Sequence, residues 1–431
     1  MRPVRAMHMH ARTVARLLEI STMDTNQPAS IADAPTSLSS AAAKRRWLAV
    51  LSIALGSFAF VTTEYLPVGV LPKIAADLGV TPGTAGLMTT TPGLIAALSA
   101  PMLLLAAGRL NRRSILLLLS VALVASNLVA ALATNFTTML IGRALLGVSL
   151  GGFWTVALGV SGQIVTEDES AKASATIFMG ITLATVIGVP LGTFIADLSS
   201  WRVSFFATSA LALAALLLQA TLLPDLPPRA AARLIDFGRM LTRWTVVRSL
   251  VLVALLFGAH FSAYTYIAPF LEDNAVLSAT WVTALLLGFG IVGFMSNFVA
   301  STFVTSHPRL SLSAMTALVM ASLVALPAFA HMHGAVVAGV LAWGIAYGAI
   351  PLCLSVWMQL TSPDRPEAAS ALFVSAVQTA IAAGSLAGGV VVDHAGATGA
   401  MHLGVLLSVL GLAVLASFAT TGRTLAAVLA E

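Results

Sequence analysis

Two residues of opposite charge stand inside long apolar stretches of the sequence, where a charge is costly. Glu64 lies within residues 47–71 and Arg143 within residues 138–163. A charge in the hydrocarbon of a bilayer costs roughly 2.5–3.5 kcal/mol on insertion scales, so such a residue usually faces a partner or a watery cavity. Glu64 is therefore the first candidate for binding a proton or a substrate. The alternative is an interfacial glutamate whose carboxylate snorkels to the membrane surface.

The depths of the two charges match. At 1.5 Å per helical residue, Glu64 lies ~10 Å and Arg143 ~7 Å from the outer ends of their stretches. Two opposite charges at one depth are expected to meet, so we predict an ion pair between the side chains, which lowers the insertion cost of both. A snorkelling interfacial arginine is the alternative for Arg143.

The composition predicts an all-α polytopic membrane protein. Hydrophobic residues make up 58% of the 431 residues and charged residues only 9%, whereas soluble domains are roughly 25% charged. The apolar runs have the length of membrane-spanning helices. The net charge of +5 comes from basic residues beside these runs, which indicates membrane topology rather than a nucleic-acid partner. The single cysteine, Cys353, cannot form an internal disulfide bond.

Twelve spans are predicted, at 47–71, 84–106, 115–133, 138–163, 172–196, 203–223, 248–270, 280–305, 312–331, 335–358, 369–393 and 399–421. With both termini in the cytoplasm, only Lys73 and Arg202 among the loop Lys and Arg residues lie outside. The expected organisation is a disordered tail (1–46), a six-helix half (47–223), a cytoplasmic linker (224–247), a second half (248–421) and a C-terminal tail (422–431). We expect a monomer.

Three matches between the halves indicate an internal repeat. Residues 63–67 match 265–269, the Gly147-x3-Gly151 motif matches residues 344–348, and 166–178 match 361–373, at offsets of about 195 to 202 residues. The repeat predicts two pseudo-symmetric six-helix halves. Tyr266 stands where Glu64 stands in the first half, so ion chemistry is expected in the first half.

Three further groups of residues are candidates for function. Aromatic faces and polar groups for a substrate cavity are predicted at Trp154, His260, Tyr264, Tyr266 and Gln378; the alternatives are interfacial aromatic residues and structural hydrogen bonds. Close packing or a hinge is predicted at Gly147, Gly151, Gly188, Pro190 and Gly192. A cytoplasmic gate is predicted from Arg109, Arg112, Arg113 and Asp168, with charge anchoring as the alternative.

Residues 61–80, with Glu64 followed by Pro67 and Pro72, carry a family resemblance, as do Arg143-x3-Gly147 and Gly188-x-Pro190-x-Gly192. They resemble the major facilitator superfamily, in particular its twelve-span drug:proton antiporter group and the sugar, arabinose and purine-nucleoside efflux branch. The resemblance implies proton coupling through Arg143 and an antiporter motif in span 5. The short loop between spans 2 and 3 departs from the family pattern, because Asn111 stands where an aspartate is expected.

These observations predict a proton-coupled exporter of small organic solutes in the bacterial cytoplasmic membrane, working by alternating access. Its partners are the solute, protons and the lipid bilayer, and its energy source is the proton gradient. We find no enzyme motif and no metal-ligand pattern, and expect neither catalysis nor a cofactor. Two alternatives keep the fold: a proton-independent facilitator, and a membrane sensor that binds a solute without moving it.

Overall fold

The computed structural model describes residues 36–107, 110–166, 169–227, 234–362 and 366–418, and these ranges contain helices and no strand. The long helices, in chain order, are α1 Thr36–Leu78, α2 Leu87–Ala107, α3 Arg112–Ala131, α4 Phe136–Ile164, α5 (three segments, Ser170–Leu183, Ala184–Gly188 and Val189–Leu198), α6 Trp201–Leu222, α7 Trp244–Tyr264, α8 Ala279–Ala300, α9 Pro308–Ala328, α10 His333–Thr361, and Pro366–Ser417, which contains α11 and α12.

Each predicted span overlaps one of these long helices. Ten helices in the described residues are long and apolar enough to cross a membrane. One of them, Leu372–Ser417, is interrupted at Gly396, whose φ of 71° is a left-handed conformation that glycine adopts without strain. The interruption separates α11 (366–395) from α12 (397–417). With α2 as well, the structure is consistent with twelve spans.

The boundary at the start of the first span differs from the prediction. Helix α1 begins at Thr36, inside the segment 1–46 that the sequence analysis assigns to a disordered tail. Residues 41–45 are three alanines, a lysine and an arginine, which are among the best helix formers and extend the span toward the N-terminus. Residues 36–46 are therefore helical.

Helix α5 changes its winding beside a proline. Residues Ala184–Gly188 form a π-helical turn directly before the segment that contains Pro190. Proline has no N–H and cannot bond the carbonyl of Val186 four residues earlier, and single π-turns are a common adjustment to such a gap. The irregular turn lies at the predicted glycine and proline motif of span 5.

We name the two ends of the bundle by residues that lie near them. The Lys73 end carries the connections after α1, α3, α5, α7, α9 and α11, and the Arg112 end carries the connections after α2, α4, α6, α8 and α10. By the distribution of basic residues, the Arg112 end is the predicted cytoplasmic end. The first half is α1–α6 and the second half is α7–α12.

From Arg45 onward the chain forms one compact unit, and small residues bring its two halves together. A β-carbon on Gly93 of α2 would lie 3.0 Å from the carbonyl oxygen of Gln378 in α11. A β-carbon on Gly290 of α8 would lie 2.7 Å from the Cα of Val186 in α5. The pairs α2/α11 and α5/α8 are thus among the close contacts between the halves.

Candidate functional site

Arg143 lies in the middle of the first half and is fully buried. Its Nε donates to the carbonyl oxygen of Met88 in α2 (2.7 Å), its Nη1 to that of Thr63 in α1 (2.8 Å), and its Nη2 to that of Glu64 (2.9 Å). One side chain of α4 therefore joins three helices. The alternative of a snorkelling arginine does not describe this residue.

Two of these carbonyls are free for a physical reason that is visible in the sequence. In an α-helix the carbonyl of Thr63 would accept the N–H of residue 67, and the carbonyl of Met88 would accept that of residue 92. Both positions are prolines, Pro67 and Pro92, which have no N–H. An unpaired buried carbonyl is costly, and the guanidinium of Arg143 supplies the missing donors.

Glu64 is buried, with 4% of its surface exposed, and its carboxylate points to the second half. Its Oε1 accepts a hydrogen bond from Nε2 of Gln378 in α11, at 3.2 Å. Gln378 is itself 8% exposed. The carboxylate of the first half thus has its hydrogen-bond donor on the opposite half of the bundle.

The predicted ion pair between Glu64 and Arg143 is wrong in its contacts. Arg143 bonds the backbone carbonyl of Glu64, not the carboxylate, and the ion pairs between described residues join Lys73 to Asp197 and Arg202 to Asp77. The physical reason is that each of the three guanidinium nitrogens of Arg143 donates to a backbone carbonyl, which holds the group against the backbone of α1 and α2. The two residues are neighbours, as their matched depths predict, but their charges face different partners.

A polar layer continues from Glu64 into the first half. Nδ2 of Asn127 in α3 donates to Oγ1 of Thr63 at 3.0 Å, and the Thr208 hydroxyl of α6 donates to Oδ1 of Asn127 at 2.8 Å. All three side chains are buried. This network fixes α1 against α3 and α6 immediately beside Glu64.

The second half presents an aromatic group instead of charges. His260 of α7 stacks on Tyr347 of α10, with ring centroids 3.2 Å apart and planes 4° apart. The other rings around it, which with these two we call the aromatic group, are Phe257, Phe261, Tyr264, Phe289 and Trp343. Tyr65, the neighbour of Glu64, stacks on Phe261 at 5.6 Å, so the group reaches the first half next to the carboxylate.

Of the five residues predicted for a substrate cavity, the structure brings three into this region. His260 and Tyr264 belong to the aromatic group, and Gln378 bonds Glu64. Trp154 packs against Phe153 in the first half, at 5.3 Å. Tyr266 lies toward the Lys73 end, where its hydroxyl donates to the carbonyl of Ser385 at 2.7 Å.

The predicted small residues allow close helix packing. A β-carbon on Gly147 would lie 2.7 Å from the carbonyl oxygen of Pro92, and one on Gly151 would lie 2.5 Å from Oγ of Ser99, both in α2. A β-carbon on Gly188 would lie 2.4 Å from Oγ1 of Thr62, and one on Gly192 would lie 2.0 Å from Cδ1 of Leu66, both in α1. The glycines therefore set the distances of α4 from α2 and of α5 from α1.

The structure describes only two of the four residues predicted for a cytoplasmic gate. Arg109 and Asp168 lie outside the described residues. Nη2 of Arg113 donates to the carbonyl of Ala220 in α6 at 2.7 Å, and the backbone N–H of Arg112 donates to Leu226 at 2.9 Å. These contacts of the loop with the end of α6 lie within the first half, and the gate itself stays a prediction.

Asn111, at the position where the family resemblance leads us to expect an aspartate, caps a helix. Its Oδ1 accepts the N–H of Arg113 at 2.9 Å, and its Nδ2 contacts the carboxylate of Asp225 after α6. An asparagine can do both because its amide both accepts and donates, whereas an ionised aspartate only accepts. Asn111 thus helps to tie the loop to α6.

Sequence reasoning missed several residues of the site. Pro67 and Pro92 carry the strongest signal, because each proline frees the carbonyl four residues earlier and a buried arginine is the natural donor. Phe257, Phe261, Phe289 and Tyr347 come from three helices, and their packing has no signal in sequence spacing. Asp197 and Asp393, at the Lys73 end, also remained unnoticed.

Replacing Gly188 by valine separates the hinge role of α5 from simple packing. The added side chain collides with Thr62 and pushes the π-turn away from α1. If this contact slides during transport, solute still binds while flux per folded molecule falls more than tenfold, equal to ~1.4 kcal/mol of barrier. Flux and affinity are measured in proteoliposomes, with Gly334→Val as control, since a β-carbon there meets nothing within 4 Å. Normal flux per folded molecule would rule out the hinge.

Replacing Arg143 by alanine tests whether it serves the carbonyls that the prolines free. Each buried carbonyl without a donor costs about 1–3 kcal/mol, so the thermal stability in detergent should fall strongly. Adding Pro67→Ala and Pro92→Ala restores the helical N–H donors and should recover part of the loss. Pro72→Ala is the matched control, because Arg143 does not bond the carbonyl of Val68 that Pro72 frees. Equal recovery by Pro72→Ala would contradict the assignment.

Comparison with known proteins agrees with the fold and identifies the family. The family model described as Major Facilitator Superfamily matches residues 53–384. Two solved structures share the fold at low sequence identity. The human organic anion transporter MFSD10 (TETRAN) has a TM-score of 0.61 at 17% identity, covering 86% of this chain and 99% of that one. A bacterial homologue of the human lysosomal transporter Spinster has a TM-score of 0.64 at 16% identity, covering 87% and 96%.

Two relatives are similar to this chain in sequence over most of its length. The transcription regulatory protein OpdE of Pseudomonas aeruginosa is 33% identical over 356 residues, covering 81% of this chain and 88% of the relative. The purine ribonucleoside efflux pump NepI of Salmonella paratyphi A is 30% identical over 354 residues, covering 82% and 89%. This chain therefore belongs to the major facilitator superfamily and is a membrane transporter, not an enzyme.

Proposed function

We propose that this transporter exports small organic solutes in exchange for protons, with Glu64 as the group that binds the proton. The observation that carries the proposal is the position of the Glu64 carboxylate. It is buried in the first half, and Gln378 of the second half donates to it. A carboxylate buried in a membrane protein marks an ion or substrate pathway by default.

The contact with Gln378 gives the proton a way to affect the two halves. An ionised carboxylate accepts a charge-assisted hydrogen bond, which is roughly twice as strong as a bond between neutral groups. Protonation of Glu64 therefore weakens its bond to Gln378 and loosens one contact between α1 and α11. Alternating access requires that the halves move against each other about a central site, and this bond lies between them.

The aromatic group is the proposed contact for the solute. Its rings are buried except that of Tyr347, which is partly buried, and they come within reach of Glu64 through the stack of Tyr65 on Phe261. Within the described residues, Nδ1 of His260 and Nε1 of Trp343 have no hydrogen-bond partner. Flat rings with two free polar atoms suit a flat, polar solute that stacks and accepts or donates hydrogen bonds. We propose that the solute displaces Tyr347 from its stack on His260.

The relatives guide the choice of test solutes. NepI is named a purine ribonucleoside efflux pump, and purine nucleosides have the flat, polar ring that the aromatic group would contact. Guanosine and inosine are therefore the first solutes to test, with arabinose as a solute that lacks such a ring. Faster flux of the nucleosides than of arabinose would support the role of the aromatic group.

A sensor is the second candidate function, favoured by one observation. The relative OpdE is named a transcription regulatory protein, and a membrane protein of this fold could act by binding a solute without moving it. A proton-independent facilitator is a further alternative. Flux in proteoliposomes distinguishes the three, because a sensor binds without flux and a facilitator shows flux that ignores a pH gradient.

Replacing Glu64 by glutamine removes the titrating group and keeps its size. In proteoliposomes with an imposed pH gradient, Glu64→Gln should abolish uphill nucleoside accumulation, because no proton can be bound and released. Exchange of labelled for unlabelled solute should persist, since it needs no net proton movement. Glu169→Gln is the matched control, because Glu169 accepts its hydrogen bond from Trp47, a residue of its own half.

The rates of uphill accumulation and of solute exchange by Glu64→Gln are each compared with those of the unmodified protein. Uphill accumulation by Glu64→Gln at the rate of the unmodified protein would eliminate Glu64 as the coupling group. Loss of solute exchange as well as accumulation would mean that Glu64 binds the solute rather than the proton.

A further inference from the structure

We infer that Asp197 and Asp393 form a pair of clasps that hold the two halves together at the Lys73 end. Each aspartate lies near the C-terminal end of a helix in one half. Its carboxylate accepts a hydrogen bond from residues at or just before the start of a helix in the other half. Opening of the Lys73 end requires both clasps to break. The inference does not depend on proton coupling, because it concerns the conformation of that end alone.

The first clasp joins α5 to α8. The carboxylate of Asp197 contacts Nζ of Lys73 in α1, within the first half, and its Oδ2 accepts the hydroxyl of Thr283 in α8 at 3.1 Å. The side chains of Lys73 and Asp197 are 32% and 19% exposed. Lys73 therefore holds the carboxylate in place, and Thr283 provides the bond that crosses to the second half.

The second clasp joins α11 to the segment that precedes α2. Oδ1 of Asp393 accepts the backbone N–H of Gly83 at 2.9 Å, and its Oδ2 accepts the hydroxyl of Thr81 at 2.8 Å. Both oxygens of one carboxylate of the second half are thus bonded to the first half. A β-carbon on Gly83 would lie 2.2 Å from the carbonyl oxygen of Gly389, so only glycine allows this approach.

The two aspartates occupy equivalent places in the internal repeat. They are 196 residues apart, within the range of offsets that relates the other matched segments. Asp197 ends α5 and reaches the start of α8, whereas Asp393 ends α11 and reaches the start of α2. The contact is thus built twice, once from each half, with the roles of the halves exchanged.

The clasps belong to a small set of bonds that join the halves in the part of the chain that the structure describes. Four side-chain hydrogen bonds between described residues join the first half to the second half, formed by Thr283, Thr81, Gly83 and Gln378 with their carboxylate partners. Three of them lie at the Lys73 end and the fourth is the Glu64 bond. Tyr266 adds a tight packing contact there, because a β-carbon on Gly86 would lie 1.8 Å from its hydroxyl oxygen.

Further charged groups surround the first clasp. Burial, and then the neighbouring Asp273, raise the pKa of Glu272, while Lys73 lowers it and Asp197 raises it further. Lys73 is thus the cation that offsets a group of carboxylates around Asp197. Bonds of partly exposed groups are individually weak, so each clasp can open in turn, and the two together set the balance between the closed and open states.

The test measures the opening of the Lys73 end directly. Spin labels at Ser199→Cys and His331→Cys, in a Cys353→Ala background without other cysteines, report the distance between the halves in nanodiscs. Asp197→Asn and Asp393→Asn should each raise the ratio of open to closed molecules about threefold or more. The double variant should raise it by the product of the two single effects, since the clasps share no partner.

The matched control is Asp77→Asn. Asp77 pairs with Arg202 at the same end, at 2.7 Å, but both residues belong to the first half. Its replacement removes the same charge and should leave the distance distribution unchanged. If Asp77→Asn opens the end as much as the clasp variants do, general electrostatics explains the effect and the inference fails. It also fails if neither Asp197→Asn nor Asp393→Asn changes the distribution.

Discussion

The bonds of Arg143 to the backbone of α1 and α2 are the constraint on which the site depends. Two prolines leave buried carbonyls without donors, and one arginine of α4 supplies them. Because all of its hydrogen-bonding nitrogens serve the backbone, the guanidinium fixes three helices and does not capture the carboxylate of Glu64. The carboxylate is therefore available to Gln378 on the other half. A direct ion pair between Glu64 and Arg143 would instead confine its charge to the first half.

The two halves divide the work of the site. The first half contributes charge and a rigid polar layer, in which Asn127 links Thr63 to Thr208. The second half contributes neutral rings that meet Glu64 through Tyr65 and Phe261. Four side-chain hydrogen bonds connect the halves within the described residues, which suits a transporter whose halves must separate and rejoin. The clasps of Asp197 and Asp393 supply three of the described bonds at the Lys73 end, so that the boundary can open there without disturbing the interior of either half.

The sequence was sufficient to predict the positions of the spans, the internal repeat and the burial of two charged residues. The thickness of the hydrocarbon limits the length of a span, and the cost of a charge in lipid limits where a charged residue can lie. It also placed Glu64 and Arg143 side by side. The predicted ion pair was wrong because the guanidinium binds the carbonyls that Pro67 and Pro92 leave free, although both prolines are visible in the sequence. Asp197 and Asp393 were equally visible, since the repeat offset relates them. The aromatic group was not, because rings from α7, α8 and α10 meet only through packing.

The central claim is that solute and proton exchange through Glu64, and proton release on solute binding tests it most directly. Purified protein in weakly buffered detergent is mixed with guanosine or inosine while a pH-sensitive dye records free protons. The account predicts that solute binding releases protons from the unmodified protein, and that Glu64→Gln binds the same solute without releasing any. Solute binding without proton release by the unmodified protein, or equal release by Glu64→Gln, would contradict it.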